Sequence, residues 1–388
     1  HYKNNKAQDV KIAYIGGGSR GWAWKLMSDL ALESSICGTV SLYDIDFDAA
    51  KNNEIIGNRI ARDFPEASKW EYVAEKSLKS SLTGADFIII SILPGTFDEM
   101  YSDVHTPEEY GIYQSVGDSV GPGGIIRSLR TIPMYEKIAL AIKENCPKAW
   151  VINYTNPMTI ITKSLYEVFP QIKAFGCCHE VFSTQTLLAN YLKEKYNIQD
   201  IKRNEIKLNV LGINHFTWVT DARYRNIDLF PLYEEFFESN KSSDKLNYEQ
   251  IKYDLFKRYG YIAAAGDSHL AEFCPGEWYL NNDSSREKYN VYLKKVSDRK
   301  TDLEKRLQKS SDIISGKVPF ELTPSGEEGV AQIKALLGLS DIVTNVNLPN
   351  KGQISNLPLG AVVETNAHFC ADSVTPVIAG ALDRKSVV

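Results

Sequence analysis

Short apolar runs alternate with amphipathic stretches through the first half of the chain. Residues 11–15 form an apolar run that ends in glycines, and 22–32 repeat their apolar positions with helical spacing. The rhythm continues with a strand at 39–43, a helix at 48–63 and a strand at 86–92, whose DFIIISI run suits burial on both faces. A helix at 126–145, a strand at 149–152, a helix at 158–169, a strand at 172–176 and a helix at 182–195 complete the series. This pattern predicts an α/β fold with a Rossmann-type, doubly wound, mostly parallel sheet. Beyond about 197–205 the rhythm changes. Residues 206–219 read as one or two long strands, and charged, aromatic helical stretches follow at 232–259 and 285–309. Two domains are expected, 8–200 and an α+β unit over 201–388, with no internal repeat.

Composition narrows the partners. The 388 residues are 43% hydrophobic and 24% charged, as in an ordinary globular protein, and the net charge is −5. No basic surplus exists to neutralise phosphates, which argues against nucleic acid. No apolar run approaches the ~20 residues of a membrane span, and the polar start of the chain shows no signal peptide. Six cysteines without a CxxC pair fit neither a disulfide scaffold nor a structural zinc site. Reduced thiols and a cytoplasmic location are expected.

The first glycine cluster carries a specific chemistry. Gly16-Gly17-Gly18-Ser19-Arg20-Gly21 matches G-x-G-x-x-G between the first strand and its helix. Gly16 permits the turn, Gly18 lets backbone approach a pyrophosphate, and Gly21 is expected to allow close helix–strand packing. The second strand ends at Asp44, where a carboxylate can bind ribose hydroxyls and repel a 2′-phosphate. NAD is therefore favoured over NADP, with Gly16, Gly18, Ser19, Gly21 and Asp44 as candidate cofactor residues. Asp46 is the weaker ribose candidate.

Later motifs are individually less specific. A second glycine loop at 114–124 contains one acid, Asp118, and suits either a substrate cover or a plain surface loop. Asn153-Tyr154-Thr155-Asn156-Pro157 follows a strand at the ligand-binding edge, although asparagine before proline is also common in turns. Cys178 and His215 offer a thiolate and an imidazole suited to a borderline divalent metal with open positions. Core packing of both residues, or a hydrolytic dyad, are the competing readings. Asp267, His269 and Glu272 form the densest acid–base cluster of the second half.

Together these segments resemble glycoside hydrolase family 4, the NAD- and divalent-metal-dependent glycosidases. The likeness runs from the GGGS loop through QSVGDSVGPGG, RTIP, NYTNP, CHEV and GINHF to Glu272 and the VVETNA segment at Glu364. It implies a fold like that of lactate and malate dehydrogenases, with Cys178 and His215 as metal ligands and manganese as the default metal. It also implies His179 as general acid and Asp267 as catalytic base, where other members have a tyrosine; Tyr259 and Tyr261 stand nearby. Asn156 would bind sugar hydroxyls, and Asp118 would lie in the substrate loop. The implied reaction oxidises, eliminates, adds water and reduces, so NAD is regenerated in each turnover.

The resemblance also points to a substrate. His179-Glu180-Val181 and the stretch from Gly18 to Trp22 resemble the α-galacturonidase branch. A sugar carboxylate needs a cationic fork, for which Arg127 or Arg130 is suited. An α-galactoside or α-glucoside is the alternative substrate. A net hydroxyacid or sugar dehydrogenase and a silent NAD-sensing module are the alternative functions. The family further implies a homo-oligomer, dimer or tetramer. The chain stops at Val388, short of the helical carboxyl-terminal region usual in the family.

Overall fold

The computed structural model describes residues 2–3, 5–198, 200–240 and 249–382. Its first six long strands are β1 (Lys6–Ile15), β2 (Ile36–Tyr43), β3 (Trp70–Glu75), β4 (Phe87–Ile90), β5 (Trp150–Asn153) and β6 (Lys173–Gly176). All six are parallel and lie in the order β3-β2-β1-β4-β5-β6. That is the order of the doubly wound dinucleotide fold. Phe87–Ile90 is buried at every position, as its unbroken apolar run requires. Each such side chain contributes about 1.5–3 kcal/mol of burial. Strand β3 has no counterpart in the predicted series, because only Trp70 and Tyr72 of its six residues are buried.

The connecting helices are α1 (Trp22–Leu32), α2 (Phe47–Asp63), α3 (Phe97–His105), α4 (Gly121–Asn145), α5 (Met158–Val168) and α6 (Glu180–Tyr196). Local chemistry sets their starts. Asp46 caps α2 by accepting from Ala49 N at 3.0 Å, which gives this acid a structural role. Thr96 and Glu99 form a capping box on α3. Helix α4 begins at Gly121, five residues ahead of the expected 126, with Pro122 in its first turn.

The second half extends the same sheet. Strands β7 (Ile206–Ile213) and β8 (Phe216–Tyr224) form an antiparallel hairpin. Helices α7 (Gln250–Tyr259), α8 (Asp267–Phe273), α9 (Val296–Ser315) and α10 (Gly329–Leu336) follow, then strands β9 (Ile342–Pro349) and β10 (Val362–Cys370). The antiparallel order β8-β7-β10-β9 joins the parallel half at β6 through the pair Asn347 and Gly176. The expected helix at 232–259 is two helices, Phe230–Asn240 and α7, and its residues 241–248 lie outside the described ones. The expected helix at 285–309 likewise divides into Asp283–Lys288 and α9.

The core crosses between the halves. Val330, Ile333 and Leu336 of α10 and Phe369 of β10 share one buried cluster with Ile12, Leu42 and Phe175. A second cluster packs α6 against the β7–β8 hairpin through Leu188, Leu192, Leu208 and Val219. Among the described residues no helix is long and apolar enough to cross a membrane.

Candidate active site

The loops at the carboxyl ends of β1, β4, β5 and β6 lie along one edge of the sheet, where ligands of doubly wound folds bind. The first is the glycine loop. Gly16 has φ +92°, and a Cβ there would lie 2.0 Å from Ser91 O. A Cβ at Gly18 would lie 2.6 Å from Ala49 Cβ and 2.8 Å from Asp44 Oδ2. The bare backbone is therefore a requirement at both positions. Buried Asn53 of α2 holds the loop by donating from Nδ2 to Gly17 O (2.7 Å) and Ser19 O (2.9 Å). Ser19 Oγ accepts from Trp22 N at 3.2 Å, fixing the first turn of α1. Asp44 Oδ2 accepts from Gly18 N at 2.8 Å, which ties the expected ribose acid to the expected phosphate loop.

One expectation about this loop is corrected. Gly21 does not provide close helix–strand packing, since a Cβ there would meet only the Arg306 side chain, at 3.4 Å. The close approach in this loop is instead at Gly17, which lies against Leu42 of β2 where a Cβ would come within 2.8 Å. Asn53, absent from the motif reading, had no signal beyond being a polar residue on the buried side of a helix.

The second grouping draws on both halves of the chain. Donor atoms of Asp118, His215 and His269 all lie within 4.8 Å of one another. His215 sits in the turn between β7 and β8 with φ +65°, in the left-handed region that few non-glycine residues adopt. Its ring stacks on that of His269, with centroids 3.6 Å apart. Ser119 Oγ donates to Asp118 Oδ1 at 2.7 Å and lies 2.8 Å from His215 Nδ1. Asn156 Nδ2 donates to Asp118 Oδ2 at 3.2 Å, and Asn156 O accepts from Arg127 Nε at 3.1 Å. Thus Asp118, Asn156, Arg127 and His215, scattered in the sequence, meet in space.

Acids surround this group. Glu272 Oε1 accepts from Val116 N (2.6 Å) and Gly117 N (2.7 Å), pinning the second glycine loop to α8. Glu180 Oε2 accepts from Gly266 N at 2.6 Å, and its other oxygen lies 3.9 Å from His269 Nε2. Burial opposes ionisation of Asp118, but His269, His215 and Arg127 outweigh it and hold the carboxyl down to about 2. Burial, followed by the His269 charge, lowers His215 to about 4, leaving a neutral imidazole with a free lone pair. A carboxylate beside imidazole nitrogens is a donor set for a divalent cation. Three buried polar atoms, Asn156 Oδ1, His269 Nδ1 and Glu272 Oε2, have no hydrogen-bond partner among the described residues. Orphaned atoms of this kind mark a place prepared for a bound group. The residues present therefore fit a cation with an oxygen-rich ligand.

Cys178 stands behind this group, outside the three clustered donors. It is buried, hydrogen-bonds Asn214 beside His215, and shares Glu180 as a charged neighbour with both histidines. Burial, then the charges of Glu364 and Glu180, pushes its thiol well above the ordinary range. Glu364 is itself buried, accepting from Asn345 (2.7 Å), Thr217 (3.1 Å) and Asn214 (3.4 Å). Asn345 also donates to Cys178 O at 3.2 Å, so this network fixes both the cysteine and the β7–β8 turn. Cys177 bonds Gln332 through its sulfur at 3.0 Å and serves packing.

His179 is half-exposed, its Nδ1 lying 3.5 Å from Glu327 and its ring 6.0 Å from that of Trp22. Arg130 is unavailable to a ligand because Asp103 binds it at 2.8 and 3.0 Å. Asp267 stands apart from the cluster: its oxygens accept from Ile251 N (2.9 Å) and Lys252 N (3.0 Å) at the start of α7. Each oxygen thus takes one backbone hydrogen bond, which ties α8 to the start of α7. Tyr259 packs edge-on against Trp218, and Tyr261 joins the same apolar cluster.

A doubly wound, dinucleotide-type sheet whose ligand edge carries a carboxylate–imidazole cluster defines the class of α/β proteins built to bind ligands at that edge. Residues 11–194 match the family 4 glycosyl hydrolases, and 210–387 match the family 4 glycosyl hydrolase C-terminal domain. The chain belongs to the family 4 glycosyl hydrolases and is a glycoside hydrolase. It is 60% identical to an α-galacturonidase of Thermoanaerobacterium saccharolyticum, over 98% of this chain and 85% of that one. It is 51% identical to an α-galacturonidase of Bacillus subtilis, over 97% and 85% of the two chains. An α-galactosidase of the same bacterium is 29% identical over 96% and 84%. The crystal structure of lplD from Bacillus subtilis superposes with a TM-score of 0.91 at 49% identity, covering 98% and 88%. A 6-phospho-α-glucosidase from gut microorganisms, solved with NAD and Mn2+, shares the fold at a TM-score of 0.80, 18% identity, and 98% and 86% coverage.

Replacing Asp267 with alanine should strip two buried amides of α7 of their acceptor. The expected loss is about 2 kcal/mol or more of stability, read by urea denaturation. An unchanged midpoint would show that the anchor carries no load.

Proposed function

We propose that this chain is an NAD- and divalent-metal-dependent α-galacturonidase. The observation that carries the reading is the gap between 51–60% identity to four α-galacturonidases and 29% to an α-galactosidase. Bound, NAD supplies a reversible hydride acceptor, and the divalent cation, manganese in this reading, polarises sugar oxygens.

The chain's own residues take the remaining tasks. Gly16, Gly18, Ser19 and Gly21 line the pyrophosphate cradle, and Asp44 meets the ribose hydroxyls. Asp118 and His215 hold the cation, with Cys178 as the proposed thiolate ligand, supported by its contact with Asn214 and its shared neighbour Glu180. Asn156 turns its free Oδ1 to a sugar hydroxyl. His179, half-exposed and steadied by Glu327, passes a proton to the leaving oxygen. Arg127 faces the sugar carboxylate.

On this view residues 8–200 form the NAD side and 201–388 the substrate side, with the cation site shared between them. Ile125, Ile126 and Leu129, exposed on adjacent positions of α4, support assembly into a homo-oligomer, a dimer or tetramer. Six free cysteines support a reducing, cytoplasmic setting.

Nitrophenyl α-galacturonide should be hydrolysed only when NAD, manganese and a thiol reductant are all present, without accumulation of NADH. Stoichiometric NADH would instead reveal a net dehydrogenase, and faster turnover of nitrophenyl α-galactoside would refute the uronide. Asp44→Ala should weaken NAD binding roughly tenfold and narrow the preference over NADP, because the ribose loses a charged acceptor. Unaltered affinity and selectivity in fluorescence titrations would remove Asp44 from the cofactor site.

A further inference from the structure

Several part-buried arginines of this protein are matched to acids. Arg130 pairs with Asp103 (2.8 Å), Arg203 with Glu328 (2.6 Å) and Arg286 with Asp283. Arg127 and Arg299 differ. Among the described residues neither forms an ion pair, and the hydrogen bonds they make go to backbone carbonyls. Arg127 Nε donates to Asn156 O at 3.1 Å, and Arg299 Nη2 donates to Val116 O at 3.4 Å.

Those two carbonyls belong to the segments that build the site. Val116 lies in the glycine loop two residues before Asp118, beside the amide that donates to Glu272. Asn156 holds Asp118 directly. The two guanidiniums thus flank the cluster, one from α4 and one from α9. Arg127 is buried, and the like charge of Arg299 acts on it alongside the opposing charge of Asp118. Two guanidiniums sharing one part-buried region repel unless an anion joins them, and a carboxylate matches their planar forks. No signal in the sequence marked Arg299, which lies on a strongly charged helix far from every motif.

We propose that Arg299 and Arg127 together clamp the carboxylate of the uronosyl substrate, and that Arg299 discriminates uronides from neutral glycosides. This assignment rests on the α-galacturonidase reading above. A neutral sugar presents a hydroxymethyl group at the same carbon and leaves the Arg299 guanidinium without a carboxylate to bind, while Asp118 still offsets Arg127. Selectivity then comes from the penalty on the wrong ligand as well as from the bond to the right one.

The test compares kcat/KM on nitrophenyl α-galacturonide with kcat/KM on nitrophenyl α-galactoside, in the NAD- and manganese-loaded enzyme. Arg299→Gln should lower the galacturonide-to-galactoside ratio roughly 10- to 100-fold, as expected for a lost charged hydrogen bond. Arg299→Lys keeps the charge but loses the fork, so its ratio should fall between those of wild type and Arg299→Gln. It also provides the reading if the glutamine variant does not fold, which circular dichroism would reveal. A ratio within threefold of wild type in the folded variants would overturn the proposal, as would equal losses on both substrates. A wild-type preference for the galactoside would refute the uronide reading itself. A wild-type preference for the galacturonide with unmoved ratios would refute Arg299 alone.

Discussion

Between the parallel and antiparallel halves of the sheet, the pair Gly176 and Asn347 carries the join. The close approach there excludes any side chain on residue 176. A Cβ would come within 2.8 Å of Met158 Cγ and 3.1 Å of Asn347 Cβ. Gly176 is also the last residue of β6, so the geometry that closes the seam aims the next three residues, Cys177, Cys178 and His179. On the far side, β9 and β10 carry Asn345 and Glu364 to the back of the β7–β8 turn. Continuity of one sheet therefore sets the separation between the cysteine of the first half and the histidine of the second. Closing that seam differently would disperse the site without changing a single functional residue.

The electrostatics follow from this convergence. Asp118, Glu180 and Glu272 approach two stacked imidazoles with Glu364 next to Glu180, and all four acids have their ionisation opposed mainly by burial while hydrogen bonds or charges resist it. Burying several carboxylates together is costly unless donors or cations compensate. Backbone amides do so for Glu272, and the amides of Asn345 and Asn214 with the hydroxyl of Thr217 do so for Glu364. Asp118 has Ser119, Asn156 and the histidines, and is the acid best placed to meet a cation. The surrounding network keeps these groups in position before any ligand arrives, which reduces the ordering cost of binding.

The nucleotide half was legible because its physics is local. Strands buried on both faces appear as unbroken apolar runs such as FIII, and GxGxxG states its own backbone demand. The assembly of the site was less legible, because its contacts are long-range. Ser119 bridging to His215 spans 96 positions, and Glu272 reaching Val116 spans 156. The resemblance alone implied Asp267 as a base, and the backbone amides of α7 that its oxygens meet lie 15 and 16 positions away. Strands β9 and β10 were missed as strands, although VVETNA within β10 was noted as a motif. Arg299 was hidden among the charges of α9, where composition alone marks a solvated face.

The central claim is that one cation site is assembled from Asp118 of the first half and His215 of the second. Electron paramagnetic resonance of the NAD-loaded protein during a Mn2+ titration tests it most directly, because free Mn2+ gives a sharp signal that vanishes on capture. One ion should be captured per chain in the wild type, with capture weakened at least tenfold in both Asp118→Asn and His215→Asn. Undiminished stoichiometric capture in both variants would contradict the account.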